Sequence, residues 1–190
     1  MKVTREQAAA RRERIVDVAS ELFRAHGFDG VAIAEIMKSA GVTHGGFYGH
    51  FDSKEQLVAE ACMRANARNR WDRWLDGPIE RRLERIVRGY LTERHRNDPG
   101  HGCLIAAVAS DVVRQPPPVR HAFTNGLKSK LDLLLCLMPG RSAAARKEKA
   151  LATMAGLVGA LILSRAVDDP QLSTEILSAA SNEFAKSANV

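Results

Sequence analysis

Apolar residues recur along most of the chain at the three- and four-residue spacing of a helix, and no stretch alternates with the two-residue period of a half-buried strand. Ile15, Val18, Ala19, Leu22 and Phe23 form a narrow apolar stripe on a helix expected over 4–25, and Gly27 follows where a left-handed cap belongs. AIAEIMKSAG is a short second helix ended by Gly41. DSKEQL then starts a helix clearly. Ser53 with Gln56 three residues on is a capping box, and Leu57, Val58, Ala61 and Cys62 continue its apolar face to about Trp74. Further helices are expected over 79–96, 103–114, 119–138, 142–167 and 171–186, broken by DGP, NDPGHG, QPPP, PG and DDP. The pattern predicts an all-α chain of about nine helices, the early ones short and the later ones longer.

Between the second helix and DSKEQL lies VTHGGFYGHF, where Gly45, Gly46 and Gly49 fall within five residues. Each glycine costs a helix roughly 0.8–1 kcal/mol relative to alanine. The stretch is either a Gly-rich loop or a helix that tolerates this cost because something approaches its backbone closely. A short helix, a tight turn at Gly41–Val42 and a second short helix make a device whose second helix enters the major groove of DNA. Thr43 is a natural N-cap and a phosphate hydrogen-bonder. His44, Tyr48 and His50 can donate to phosphates or bases. Lys54 falls in the first turn of the next helix, where free N–H groups favour a phosphate. Phe47 and Phe51, four apart, fit one inward face.

This segment, GFDGVAIAEIMKSAGVTHGGFYGHFDSKEQL, resembles the DNA-binding region of the TetR family of bacterial transcriptional regulators. The residues that carry the likeness are Ile36, Ala40, Gly41, Val42, Tyr48, His50, Phe51, Ser53, Lys54 and Glu55. Near the end, LILSRAVDDPQLSTEIL resembles the closing helices of many members. The resemblance implies a helix-turn-helix domain over 1–52 and a dimerisation and effector-binding domain over 53–190. It implies a homodimer on a palindromic double-stranded operator, most simply a repressor released by a small molecule or by thiol modification. It places Thr43, Tyr48, His50 and Lys54 on phosphates, and His44, Gly45 and Gly49 near bases. Three departures stand out. Ala32 replaces the usual Ser/Thr cap of the second helix, which removes about 1 kcal/mol of helix stability unless packing compensates. Met37 replaces a common alanine. Gly49 stands where a bulky reader is common, which shifts readout to His44, to an N-terminal arm of Lys2, Arg5, Arg11 and Arg12, and to DNA shape.

Charge changes the picture less than its total suggests. The formal net charge is +6, yet residues 1–55 hold eight Lys/Arg and eight Asp/Glu and are neutral. Net charge therefore does not locate a DNA site. The N-terminus has no apolar core of a signal peptide, and no apolar run is expected to reach the roughly 18–20 residues of a membrane span. Cys62, Cys103 and Cys136 suit neither a disulfide framework nor a zinc site, and point to a reducing, cytoplasmic setting.

Later segments offer weaker candidates. Ala152, Gly156, Gly159 and Leu163 form a stripe of small and apolar residues, either a dimer interface, as the resemblance favours, or an ordinary core face. Cys103 opens a helix two residues after His101, an arrangement that favours thiolate, and GCLIAAVASDV resembles a segment of thiol-sensing family members. A free cysteine that simply packs is the alternative reading. Cys62 and Cys136 read as core residues. Trp71, Trp74, Tyr90, His95 and Phe123 are candidate effector-cavity residues or plain core aromatics. No Gly-rich phosphate loop, nucleophile elbow, metal-ligand pair or carboxylate pair is present, so neither an enzyme nor a cofactor is expected. The competing reading is a helical ligand-binding module that has lost specific DNA binding.

Overall fold

The computed structural model describes residues 4–68 and 71–186. Among them are nine α-helices and three 3-10 segments: α1 (Arg5–His26), α2 (Ile33–Ser39), a 3-10 segment (His44–Gly49), α3 (Lys54–Ala67), short 3-10 turns at Asp72–Trp74 and Ile79–Arg81, then α4 (Arg82–Tyr90), α5 (Glu93–Asn97), α6 (Leu104–Val112), α7 (Pro117–Leu137), α8 (Ala143–Ala166) and α9 (Pro170–Lys186). No strand occurs among the described residues. The all-α expectation holds. The chain divides into two compact units. One comprises the residues up to Arg68 with Cys103–Gly126. The other comprises 71–102 together with the residues from Leu127 onward.

In the first unit, α1 begins at a full capping box. Thr4 Oγ1 accepts from the Gln7 N–H at 3.2 Å, and Gln7 Oε1 accepts from the Thr4 N–H at 3.1 Å. Two donors that a helix start leaves open are thereby satisfied. Ile15, Val16, Ala19 and Phe23 face the core, so the buried stripe is turned from the expected one and leaves Val18 and Leu22 partly exposed. The helix stops at Gly27, whose φ of 77° and ψ of 170° belong to a region that only glycine enters freely. Ser53 accepts from the Gln56 N–H at 3.2 Å, but Gln56 Oε1 accepts from Asp52 N–H at 2.7 Å, so the expected box is only half formed. Arg64 of α3 pairs with Glu13 and with Asp17 of α1, clasping the two helices.

The sequence pattern misleads twice, at the end of α3 and in the second unit. The helix expected to reach Trp74 ends at Ala67. The one expected over 79–96 is two helices, because Leu91 takes φ −89° and ψ 68° and Thr92 caps a new start, accepting from the His95 N–H at 3.2 Å. His95 Nδ1 lies 2.7 Å from the Tyr90 carbonyl, and Arg165 donates to the carbonyls of His95 (2.6 Å) and Arg96 (3.1 Å). Side-chain donors at the end of a helix satisfy carbonyls that have no partner within it. Gly156 lets α8 and α9 meet, since a Cβ there would lie 2.0 Å from Phe184 Cζ. Helix α8 is long and apolar enough to cross a membrane by length and composition, contrary to expectation, but it packs along α9.

Candidate nucleic-acid interface

The Gly-rich stretch is neither a loop nor an α-helix: His44–Gly49 is a 3-10 helix of six residues. Its inner side is fixed by aromatics. Phe47 and Phe51 are buried and stack with ring centroids 5.6 Å apart, and Met37 closes the floor beside them. The turn before it is set by Gly41 at φ 71°, with the Val42 N–H donating to the Met37 carbonyl at 2.9 Å. Ala32 makes no side-chain cap, as its residue type dictates. Complete burial of Ile36 and Met37 holds α2 in place of the missing cap.

The outer side is open. Tyr48 is 72% exposed, its ring braced edge-on by Phe47 at 5.2 Å. Thr43 sits at the N-cap position with extended backbone, but its side chain makes no cap bond. Thr43, His44, Gly45 and Gly49 are all exposed. A Cβ added at Gly45 or Gly49 would meet nothing within 4 Å, and one at Gly46 would make only ordinary contact with Thr43 Oγ1 at 3.7 Å. None of these three glycines has a positive φ. The fold itself therefore needs glycine at neither 45 nor 49.

Other candidates are tied into the fold. Lys54 Nζ donates to the Val31 carbonyl at 2.8 Å, which fastens the entry to α2 and commits one of its three N–H groups. The His50 carbonyl accepts from Arg12 Nε at 3.3 Å. Arg12 also pairs with Glu60 at 2.6 Å and lies 4.7 Å over the Phe51 ring. The hydrogen bond to Glu60 raises its guanidinium pKa further above the ordinary value. Arg5, Arg11 and Arg12 are thus residues of α1 and not a free arm, while Lys2 lies outside the described residues.

One participant was missed in the sequence. Asp111, near the end of α6, accepts from the Phe28 N–H at 3.2 Å, and its Oδ2 occupies the place where a Cβ on Gly27 would come within 2.7 Å. Arg114 holds its other oxygen at 3.1 Å. Asp111 thereby pins the corner between α1 and α2 from a segment 83 residues away. The only sequence signal was Gly27 itself, which reads as a helix stop.

The remaining candidates divide between the two units. Phe123 packs against the core of the first unit. In the second, Trp71 and Tyr90 are buried edge-to-face at 5.9 Å, Trp74 lies 6.5 Å from Trp71, and Tyr90 meets His95 at 4.6 Å. These four form a packed aromatic cluster. Cys103 is the half-buried N-cap residue of α6 and makes no cap bond. His101 Nδ1 lies 2.9 Å from Asp98 Oδ1, an interaction that lowers the Asp98 pKa. Cys62 is buried, and desolvation pushes its thiol up to about 12. Cys136 is exposed, contrary to its apolar setting, while Leu134 of α7 and Met138 just past its end are the buried residues around it.

Comparison with known proteins agrees with this geometry. Residues 15–61 match the model for bacterial regulatory proteins of the tetR family. The HTH-type transcriptional regulator AcrR of Shigella flexneri is 42% identical over 57 residues, which are 30% of this chain and 26% of that protein. The chain thus spans about a quarter of the length of that curated relative. The uncharacterized HTH-type transcriptional regulator TtgW of Pseudomonas putida is 33% identical over 92 residues, covering 48% of this chain and 69% of TtgW. The crystal structure of a TetR transcriptional regulator from Chloroflexus aurantiacus superposes with a TM-score of 0.78 at 25% identity, over 95% of both chains. By its turn geometry, its matched helices and these relatives, the chain belongs to the tetR family of bacterial regulatory proteins.

Proposed function

We propose that this chain is a sequence-specific DNA-binding transcriptional regulator, a repressor that binds a palindromic operator as a homodimer. The observation that carries the reading is the asymmetry of the 3-10 segment. Phe47 and Phe51 anchor one side, while Thr43, His44 and Tyr48 project from the other beside glycines that the fold does not require. Such a surface lets the backbone at Gly45 and Gly49 approach a groove edge. Thr43 and Tyr48 donate to phosphates there, and His44 is the side chain nearest the base edges. His50 and Lys54 set the position of the segment, Lys54 with two N–H groups left for a phosphate.

Dimerisation is assigned to α8 and α9. Leu151, Ile162, Leu163 and Leu172 are large apolar side chains left exposed on these helices, with Ala152 exposed and open space above Gly159. Gly156 is not part of that surface, because Phe184 of the same chain fills the space over it. Release follows when a small molecule, or modification of Cys103, favours a dimer whose reading heads no longer match the half-site spacing.

Selection of binding sites from random duplex DNA at physiological salt tests the reading, because non-specific binding is weak there. The expected result is an enriched palindrome with half-sites spaced for a two-fold dimer. Tyr48→Ala then weakens binding about tenfold, the scale of one lost charge-assisted bond. A folded dimer that enriches no sequence overturns the proposal and favours a ligand-binding module without specific DNA binding.

A further inference from the structure

We propose that the groove between α4, the α4–α5 joint and α9 binds a small zwitterion of the free α-amino acid class. The groove is open to solvent on one side and holds about 310 Å³, at the lower end of the roughly 300–1,000 Å³ of small-molecule sites. Its floor is apolar, made by the buried side chains of Leu91 and Leu177. Its rim carries one charge of each sign on the α4–α5 side, Arg88 and Glu93. Ser178, Ser181 and Asn182 of α9 face them across the groove.

The state of these groups sets them apart from an ordinary polar surface. Arg88 uses Nε on Glu84 at 3.0 Å, which orients the guanidinium and leaves its terminal nitrogens for another acceptor. Glu93 makes no ion pair among the described residues, although it stands five positions from that arginine in the same groove. Ser178, Ser181 and Asn182 recur at i, i+3 and i+4, so they share one face of α9. Their side chains make no hydrogen bond within the chain among the described residues. One end of the groove is stiffened where Arg96 donates to Ser173 Oγ at 2.9 Å and Ser173 donates to the Ser164 carbonyl at 2.5 Å.

A guanidinium, a carboxylate, uncommitted hydroxyl and amide groups, and an apolar floor complement a molecule with a carboxylate, an ammonium and a short aliphatic side chain. An anion alone leaves Glu93 opposed to it, and a cation alone leaves Arg88 opposed to it. The site stands apart from the DNA reading, and its test uses no DNA.

The experiment is a thermal-shift screen of the full chain against the individual L-amino acids at millimolar concentration, followed by calorimetry of any hit. Each hit is compared with its Nα-acetyl form, which lacks the ammonium, and its amide, which lacks the carboxylate. Glu93→Gln, Arg88→Met and the groove-filling Ser178→Trp alter exposed positions, and circular dichroism checks that each variant folds. The expected result is saturable binding of at least one amino acid that weakens about tenfold or more in either capped form and in all three variants, the scale of a lost charged hydrogen bond. No binding by any amino acid overturns the proposal. So does binding that persists in a capped form or in any of the three folded variants.

Discussion

Two regions of this molecule carry glycine where alanine would serve a helix better, for opposite reasons. In α8, Gly156 is demanded from within, because Phe184 of α9 occupies the space a Cβ would take. In the 3-10 segment, Gly45 and Gly49 have open space around them and ordinary backbone angles. The first glycine is a packing residue. The fold does not explain the other two, and the proposed close approach to DNA is the account offered for them. A glycine in a helical protein therefore says little until its surroundings are known.

Gly27 offers the sharpest break of that comparison, since it lies in the first unit yet is demanded from within. Gly27→Ala meets both a backbone region reserved for glycine and the Asp111 carboxylate at 2.7 Å. Its expected cost is about 3 kcal/mol, strain together with a lost hydrogen bond, read from urea unfolding. Gly156→Leu should follow at about 2 kcal/mol, the scale of an overpacked core, because Phe184 has to move. If that variant is as stable as the parent, the internal account of Gly156 fails.

Gly45→Ala with Gly49→Ala should do the reverse. Stability stays level or rises by about 0.4–1 kcal/mol per site through a less flexible unfolded chain. Affinity for a selected operator falls. Unchanged affinity would mean that these glycines serve no close approach.

The smallest effect concerns Asp98. Its pKa is lowered by the hydrogen bond from His101, so its stabilisation is present above the unfolded aspartate value near 3.9 and is lost as pH falls through the lower folded value. Asp98→Asn should cost stability at about pH 6, less than a surface ion pair's usual maximum of about 1 kcal/mol, and nothing measurable once the pH is well below the folded value. Equal losses at both pH values would remove the carboxylate's charge from the account.

Much of this was legible in the chain. Short-range rules place the ends of α1, α2, α8 and α9 within a residue or two, because caps and helix stops act over three or four positions. The order of residues from Ile36 to Glu55 was enough to reveal the family, since a turn with buried aromatics at fixed offsets is a local object. The break at Leu91 was not legible. Leu83, Ile86, Val87 and Tyr90 are all buried on one face, and the apolar pattern runs on into Leu91. Beside the Thr92 cap, the bonds from His95 to the Tyr90 carbonyl and from Arg165 to the His95 carbonyl favour ending one helix and beginning another there.

The sequence by itself determined the helical class, the family and the inward aromatics of the turn, because these rest on periodicity and on neighbours a few residues apart. The tertiary structure alone decided that Asp111 pins the corner at Gly27, that Arg12 ties α1 to Glu60 and Lys54 to the Val31 carbonyl, and that Gly156 belongs to Phe184. Each of those contacts joins positions more than twenty residues apart. No local pattern encodes such a meeting, which depends on how whole helices pack.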